Sequence, residues 1–191
     1  MATFELHEDL RPDAQAAVAA LFAQGVQVHL LSGDLASAVA RVARQTGISQ
    51  ARGGCKPQDK LALLRELQAQ GHKVAMVGDG LNDGPVLAGA HVSFAFGQAV
   101  PLAQARSDFV VLGNRLDDVV QTLLRARRTL RVVRQNLWWA AIYNAVCVPL
   151  AVAGWLPAWL AGMGMALSSL LVVLNALRLS HGVKPAGKML S

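Results

Sequence analysis

The chain has 191 residues and a formal net charge of +6, yet only 16% of its side chains are charged and its mean hydropathy is +0.36. A soluble domain carries about a quarter charged residues, so part of this chain is built for another solvent. Its two cysteines, Cys55 and Cys147, lie far apart and exclude a disulfide framework or a Cys-x-x-Cys metal site. Residues 1–10 are acidic and lack an apolar core, so they are not expected to be a signal peptide. The arginines are not interleaved with aromatics as a nucleic-acid surface requires, so no nucleic-acid partner is expected.

In chain order, residues 14–24 read as an alanine-rich helix ended by Gly25. Val26-Gln27-Val28-His29-Leu30-Leu31 reads as a buried strand, Ser32-Gly33-Asp34 as a turn, and residues 35–45 as a helix stopped at Gly47. A helix over 59–70 stops at Gly71. Lys73-Val74-Ala75-Met76-Val77 is a second buried strand. It runs into the loop Gly78-Asp79-Gly80-Leu81-Asn82-Asp83 and a helix over 85–90. Short strands follow at 92–96 and 109–112. Helices alternating with apolar strands predict an α/β fold with a doubly wound parallel sheet. Ligands of such sheets bind at the strands' carboxyl ends. The Ser32 turn and the 78–83 loop both fall there, and are expected to face one crevice.

Residues 116–136 read as one long basic helix with Arg125, Arg127, Arg128, Arg131 and Arg134. Residues 137–177 then carry no charge at all. That is too long for a single crossing, which takes roughly 20 residues. Gly154 and Pro157 interrupt it, which predicts two antiparallel spans at 137–155 and 158–179 in the lipid bilayer. Trp138 and Trp139 would lie at the near interface, Trp155 and Trp159 at the far one, with the arginine-rich side cytoplasmic. The expected organisation is a soluble domain over 1–117, a stalk over 118–136, a hairpin over 137–179 and a tail over 180–191. The protein would sit in the plasma membrane, multi-pass, with both ends cytoplasmic.

The loop at 78–83 holds two carboxylates and an amide after a strand. That spacing suits a hard cation with oxygen ligands, above all Mg²⁺. Its glycines let the backbone turn and approach a phosphate. The Ser32 hydroxyl and the N–H groups of its turn can hold phosphoryl oxygens. The Lys60 ammonium can neutralise them. Taken singly, Lys60 is equally a solvated helix residue, Ser32 a helix cap and Asp34 a structural turn residue.

As an ordered set, these motifs resemble the haloacid dehalogenase superfamily, and within it the P-type ATPases. The hinge motif Gly-Asp-Gly-variable-Asn-Asp stands here as Gly78-Asp79-Gly80-Leu81-Asn82-Asp83. The resemblance implies that Asp79 ligates Mg²⁺, that Asn82 and Asp83 order the phosphate site with Asp83 positioning Lys60, and that Ser32 replaces the usual threonine. Gly84 and Val86 stand where the family usually has alanine. The phosphorylated Asp-Lys-Thr-Gly-Thr, the ATP-binding domain, the Thr-Gly-Glu loop and the Cys-Pro-Cys of the metal path do not occur. The resemblance runs from Glu5 to Leu179 and covers only the final part of a complete pump.

Polar groups inside a membrane segment are functional candidates. Tyr143 lies about 9 Å in from Leu137, and Ser169 about 15 Å in from Leu179, at 1.5 Å per residue. The copper(I) class of heavy-metal P-type ATPases has Tyr-Asn in the penultimate span and Met-x-x-Ser-Ser in the last. Here these are Tyr143-Asn144 and Met165-Ala166-Leu167-Ser168-Ser169. The zinc and cadmium class has an aspartate in the last span, where this chain has no carboxylate. The resemblance therefore implies a Cu(I) site of Tyr143, Asn144, Met165 and Ser169, with Cys147 an apolar filler. It implies a copper-efflux pump driven by ATP and fed by a cytosolic copper chaperone, this chain working with the pump's N-terminal part and inactive alone. The other reading is a stand-alone, membrane-tethered binding or regulatory half-protein.

Overall fold

The computed structural model describes residues 10–78, 83–96, 101–113 and 115–179, the side chains of residues 102 and 103 excepted. Asp79, Gly80 and Asn82 lie outside the described residues, as does the tail from residue 180. The elements are α1 (Ala14–Ala23), β1 (His29–Leu31), α2 (Ala36–Thr46), β2 (Gln50–Arg52), α3 (Pro57–Ala69), β3 (Ala75–Gly78), α4 (Gly84–Gly89), β4 (Val92–Phe96), α5 (Pro101–Ala105), β5 (Phe109–Val111), α6 (Asp117–Val152) and α7 (Ala158–Leu177). The chain forms two compact units, Met1–Thr122 and Leu123–Ser191.

All strand pairs in the first unit are parallel, but they form two sheets, β1-β2 and β3-β4-β5. Among the described residues, β1 pairs only with β2 and β3 only with β4, so each keeps one edge without a strand partner. Parallel sheets are normally covered on both faces. In the larger sheet this holds at β4, whereas Phe109 and Val110 of β5 are exposed. Ala95 of β4 packs on Leu87 of α4, with Met76 beside it. On the opposite face, Phe94 and Phe96 pack with Val111 and with Val119 from the start of α6. The alternation along β4 sends successive side chains to the two helical layers. Buried Ser93 fits among them because its hydroxyl and N–H both donate to Asp108 Oδ2.

Two elements escape the sequence reading. β2 is Gln50-Ala51-Arg52, with both end residues exposed, so it has no apolar run to mark it. α5 is a five-residue helix with no periodicity to read. β1 is shorter than expected and begins at His29. Asp13 has a role that local sequence did not suggest. Its carboxylate accepts from the Asp117 N–H at 2.9 Å, satisfying a donor at the start of α6 from across the unit.

In the second unit, α6 runs unbroken across the expected stalk border and through Pro149 to Val152. Gly154, at φ +76°, ends it: Trp155 N–H reaches back to Leu150 C=O at 3.0 Å and Gly154 N–H to Ala151 C=O at 3.1 Å. Among the described residues, α7 alone is a helix long and apolar enough to cross a membrane. The charge-free part of α6, residues 137–152, is about 24 Å long.

Candidate functional site

Helix α3 opens at Pro57, where a missing N–H costs no helical bond. Asp59 Oδ2 accepts from Lys56 N–H at 2.8 Å and closes that first turn. One residue on, Lys60 Nζ lies 2.8 Å from Asp83 Oδ1, and the two side chains are 13% and 12% exposed. Charges withdrawn this far from water persist only as a pair. Lys60 is therefore no solvated helix residue. Asp83 opens α4, just past the loop that leaves β3. A Cβ on Gly78, the last residue of β3, would stand 3.2 Å from Asp83 Oδ2. The Asp83 side chain thus packs closely against the end of β3.

The Ser32 turn is built differently. Ser32 Oγ donates to the Asp34 carboxylate and accepts from Asp34 N–H at 3.3 Å. Ser32 does not cap α2, whose N-cap is Leu35. The exit of β2 holds the turn: Ser32 N–H donates to Arg52 C=O at 3.1 Å, Cys55 N–H to Ser32 C=O at 2.9 Å, and Gly54 N–H to Asp34 C=O at 2.7 Å. A Cβ on Gly53 would lie 2.6 Å from Ala36 Cα and 2.9 Å from Asp34 O. Cys55 leads straight into α3, so one loop ties the Ser32 turn to the helix that carries Lys60. Gly33, Ser32 and Asp34 end one sheet; Gly78, Asp83 and Lys60 gather at the end of the other. No cluster of three or more His, Cys, Asp or Glu occurs among the described residues.

In the second unit, α6 and α7 form an antiparallel pair. Asn175 Nδ2 donates to Asn136 Oδ1 at 2.8 Å, and Trp139 Nε1 donates to Ser168 Oγ at 3.1 Å. The Tyr143 hydroxyl sits where a Cβ on Gly164 would be 2.9 Å away. Arg128 Nη2 closes the open end on Arg178 C=O at 2.6 Å. Tyr143 thus faces the seam, while Asn144, Met165 and Ser169 are exposed. Each of these three follows a seam residue by one position, a step of about 100°. In two antiparallel helices that step turns toward the same flank. Asn144, Met165 and Ser169 therefore share one side of the hairpin, and the hairpin does not enclose them. Gly164→Leu is expected to push Tyr143 out of the seam and destabilise the pair by about 1–3 kcal/mol. Thermal unfolding in detergent micelles measures this, with Gly162→Leu, which meets nothing within 4 Å, as the neutral comparison.

Residues 1–91 match the family model described as haloacid dehalogenase-like hydrolase. The nitrogen fixation protein FixI of Bradyrhizobium diazoefficiens is 45% identical over 173 residues, 91% of this chain and 24% of that protein. A probable copper-exporting P-type ATPase V of Mycobacterium tuberculosis is 44% identical over 172 residues, 90% of this chain and 22% of the relative. A crystal structure of a zinc-transporting PIB-type ATPase in the E2·Pi state superimposes with a TM-score of 0.84 at 34% identity, over 90% of this chain and 28% of that one. The chain is homologous to the C-terminal region of P-type ATPases. It spans about a quarter of the length of the curated relatives it matches. The α/β fold expected from the strand and helix pattern is the haloacid dehalogenase-like part of this homology, followed by a long helix and an apolar one.

Proposed function

We propose that this chain supplies the lysine-bearing half of an aspartyl-phosphate site, and one flank of the metal path, in an ATP-driven pump that exports copper(I). The observation that carries this reading is the withdrawn Lys60–Asp83 pair at the carboxyl end of β3. The strand bearing the phosphorylated aspartate would pair with the free edges of β1 and β3. Both strands end in residues suited to phosphate. Lys60 then neutralises the transferred phosphoryl group while Asp83 holds the ammonium in place. The Ser32 hydroxyl and its turn receive phosphoryl oxygens.

Asp83 is committed to Lys60, and by the family resemblance Asp79, in the run Gly78-Asp79-Gly80-Leu81-Asn82, would be the Mg²⁺ ligand. When bound, Mg²⁺ neutralises charge on phosphate oxygens. ATP binds to the part of the pump that this chain does not include.

In the membrane, α6 from residue 137 and α7 would make two crossings, with the arginines and both ends cytoplasmic. Asn144, Met165 and Ser169 on the exposed flank, with Tyr143 from the adjoining seam, would hold Cu(I), other helices of the pump completing the site. The choice of metal rests on donor chemistry. Zn²⁺ takes thiolate, imidazole or carboxylate, and of these the hairpin offers only Cys147. A thioether and neutral oxygens suit a soft monovalent ion and leave no carboxylate stranded in lipid. A cytosolic copper chaperone belongs to the same reading as the source of the ion.

The test is a chimera in which this chain replaces the matching quarter of a copper-exporting relative, purified and assayed for metal-stimulated ATP hydrolysis. Cu(I) should stimulate it, and Met165→Leu should raise the Cu(I) concentration needed by about tenfold or more. Stimulation by Zn²⁺ and not Cu(I) would sink the copper assignment. The 191-residue chain alone should not hydrolyse ATP; hydrolysis that Asp79→Ala abolishes would sink the division of the phosphate site between two parts.

A further inference from the structure

No Asp or Glu occurs after Asp118, while Arg125, Arg127, Arg128, Arg131, Arg134, Arg178, Lys184 and Lys188 all follow it. The cations are not evenly spread around α6. Arg127, Arg131 and Arg134 stand at four- and three-residue spacing, which is one face of a helix. The same face continues through Trp138 to Ile142. These side chains, with Leu130 and Gln135 between them, line an open groove of about 720 Å³. Arg131 and Arg134 are exposed, and Trp138 is 69% exposed. Over about 22 Å of helix the groove passes from guanidinium to indole to aliphatic.

That order matches an amphiphile with an anionic head and apolar tails. A guanidinium offers a flat fork of donors to phosphate oxygens, and Arg binds phosphate bidentately. An indole lies well at the level where headgroups meet acyl chains. An acidic protein segment would use the arginines and leave Trp138 and Ile142 without an apolar partner. Soluble phosphate would do the same.

We propose that this face of α6 binds an anionic phospholipid, Arg127, Arg131 and Arg134 taking the phosphate and Trp138 and Ile142 lying along the acyl chains. The proposal rests on the reading that the hairpin is embedded in a bilayer. Such a site would tie the start of the charge-free segment to the headgroup plane, where a pump must hold its cytoplasmic machinery against its membrane helices.

The experiment uses the full chain reconstituted in vesicles of equimolar phosphatidylcholine and phosphatidylglycerol, with one or the other lipid brominated in its acyl chains. Trp155→Phe/Trp159→Phe leaves Trp138 and Trp139 as reporters. Quenching there should favour brominated phosphatidylglycerol by about fivefold or more. R127Q/R131Q/R134Q should bring the ratio to about one, R131Q alone to an intermediate value, and R125Q/R128Q/R178Q, which removes as many charges, should keep it. Equal loss in both triple variants, or no preference at the outset, overturns the site in favour of diffuse attraction. Loss of the preference in millimolar inorganic phosphate, but not in chloride of equal ionic strength, overturns the lipid in favour of a soluble anion. The converse variant, Trp138→Phe/Trp139→Phe, reports on the hairpin itself. If Trp155 and Trp159 escape quenching by both lipids, the hairpin is not embedded and both readings fall; if they are quenched while Trp138 and Trp139 show no preference, only the lipid site falls.

Discussion

Lys60→Met is expected to lower the stability of the chain by about 2–3 kcal/mol, because it strands the Asp83 carboxylate at 12% exposure beside Gly78. The thermal midpoint of the purified chain should fall by about 4–12 °C. In the chimera the same change should cut formation of the phosphorylated intermediate by about 100-fold or more, since it removes the ammonium that would meet the phosphoryl charge. The double variant Lys60→Met/Asp83→Asn separates the two effects. Removing both charges should recover much of the lost stability, because a neutral amide costs less to bury than an unpaired carboxylate. Phosphorylation should stay lost. A double variant no more stable than Lys60→Met would show that the pair is not what holds this corner. Phosphorylation restored by Asp83→Asn would show that Lys60 does not serve the phosphate.

Gly53→Ala is expected to cost about 3 kcal/mol or more, a large effect for one methyl group. Its Cβ would meet Ala36 Cα at 2.6 Å, Ala36 N at 2.9 Å and Asp34 O at 2.9 Å. All three are backbone atoms, so no rotamer change relieves the clash, and either α2 or the Ser32 turn must move. Gly33→Ala is the control. Its Cβ would meet only Cys55 O at 3.6 Å, an ordinary contact, and it should cost under about 1 kcal/mol. Chemical unfolding of the two variants side by side measures the difference. If phosphate is held by the Ser32 turn, Gly53→Ala in the chimera should also impair phosphorylation, though residue 53 supplies no functional group. Equal stability of the two variants would mean that the β2 exit is free to shift away from α2.

How far each feature could be read from the chain depends on whether its cause is local. The helix–strand alternation, the glycine and carboxylate spacing of residues 78–83 and the 41 uncharged residues of 137–177 are local patterns, and they sufficed for the α/β fold and the ATPase resemblance. Fidelity was lowest where side-chain pattern is absent: the exposed ends of Gln50-Ala51-Arg52 hid β2, whose parallel pairing with β1 is set by backbone and not by an apolar face. The division into two sheets was equally invisible, because strand pairing is a long-range choice that strands of three to five residues do not encode by themselves.

The site divides the same way. Residue type and spacing made Lys60, Asp83, Ser32 and the polar residues of the hairpin candidates, and the family resemblance gave them their roles. The resemblance implies that Asp83 positions Lys60, and the tertiary structure shows the two side chains paired across 23 residues; only the tertiary structure gave Asp13 the start of α6 as its partner across 104, set Gly53 against backbone that a Cβ would strike, and set Gly164 against the Tyr143 hydroxyl. It also turned Tyr143 into the α6–α7 seam while leaving Asn144, Met165 and Ser169 on one exposed flank. The physical reason is that residue type and spacing state which chemistry a chain can offer, whereas desolvation, pairing and steric necessity exist only between atoms that folding brings together.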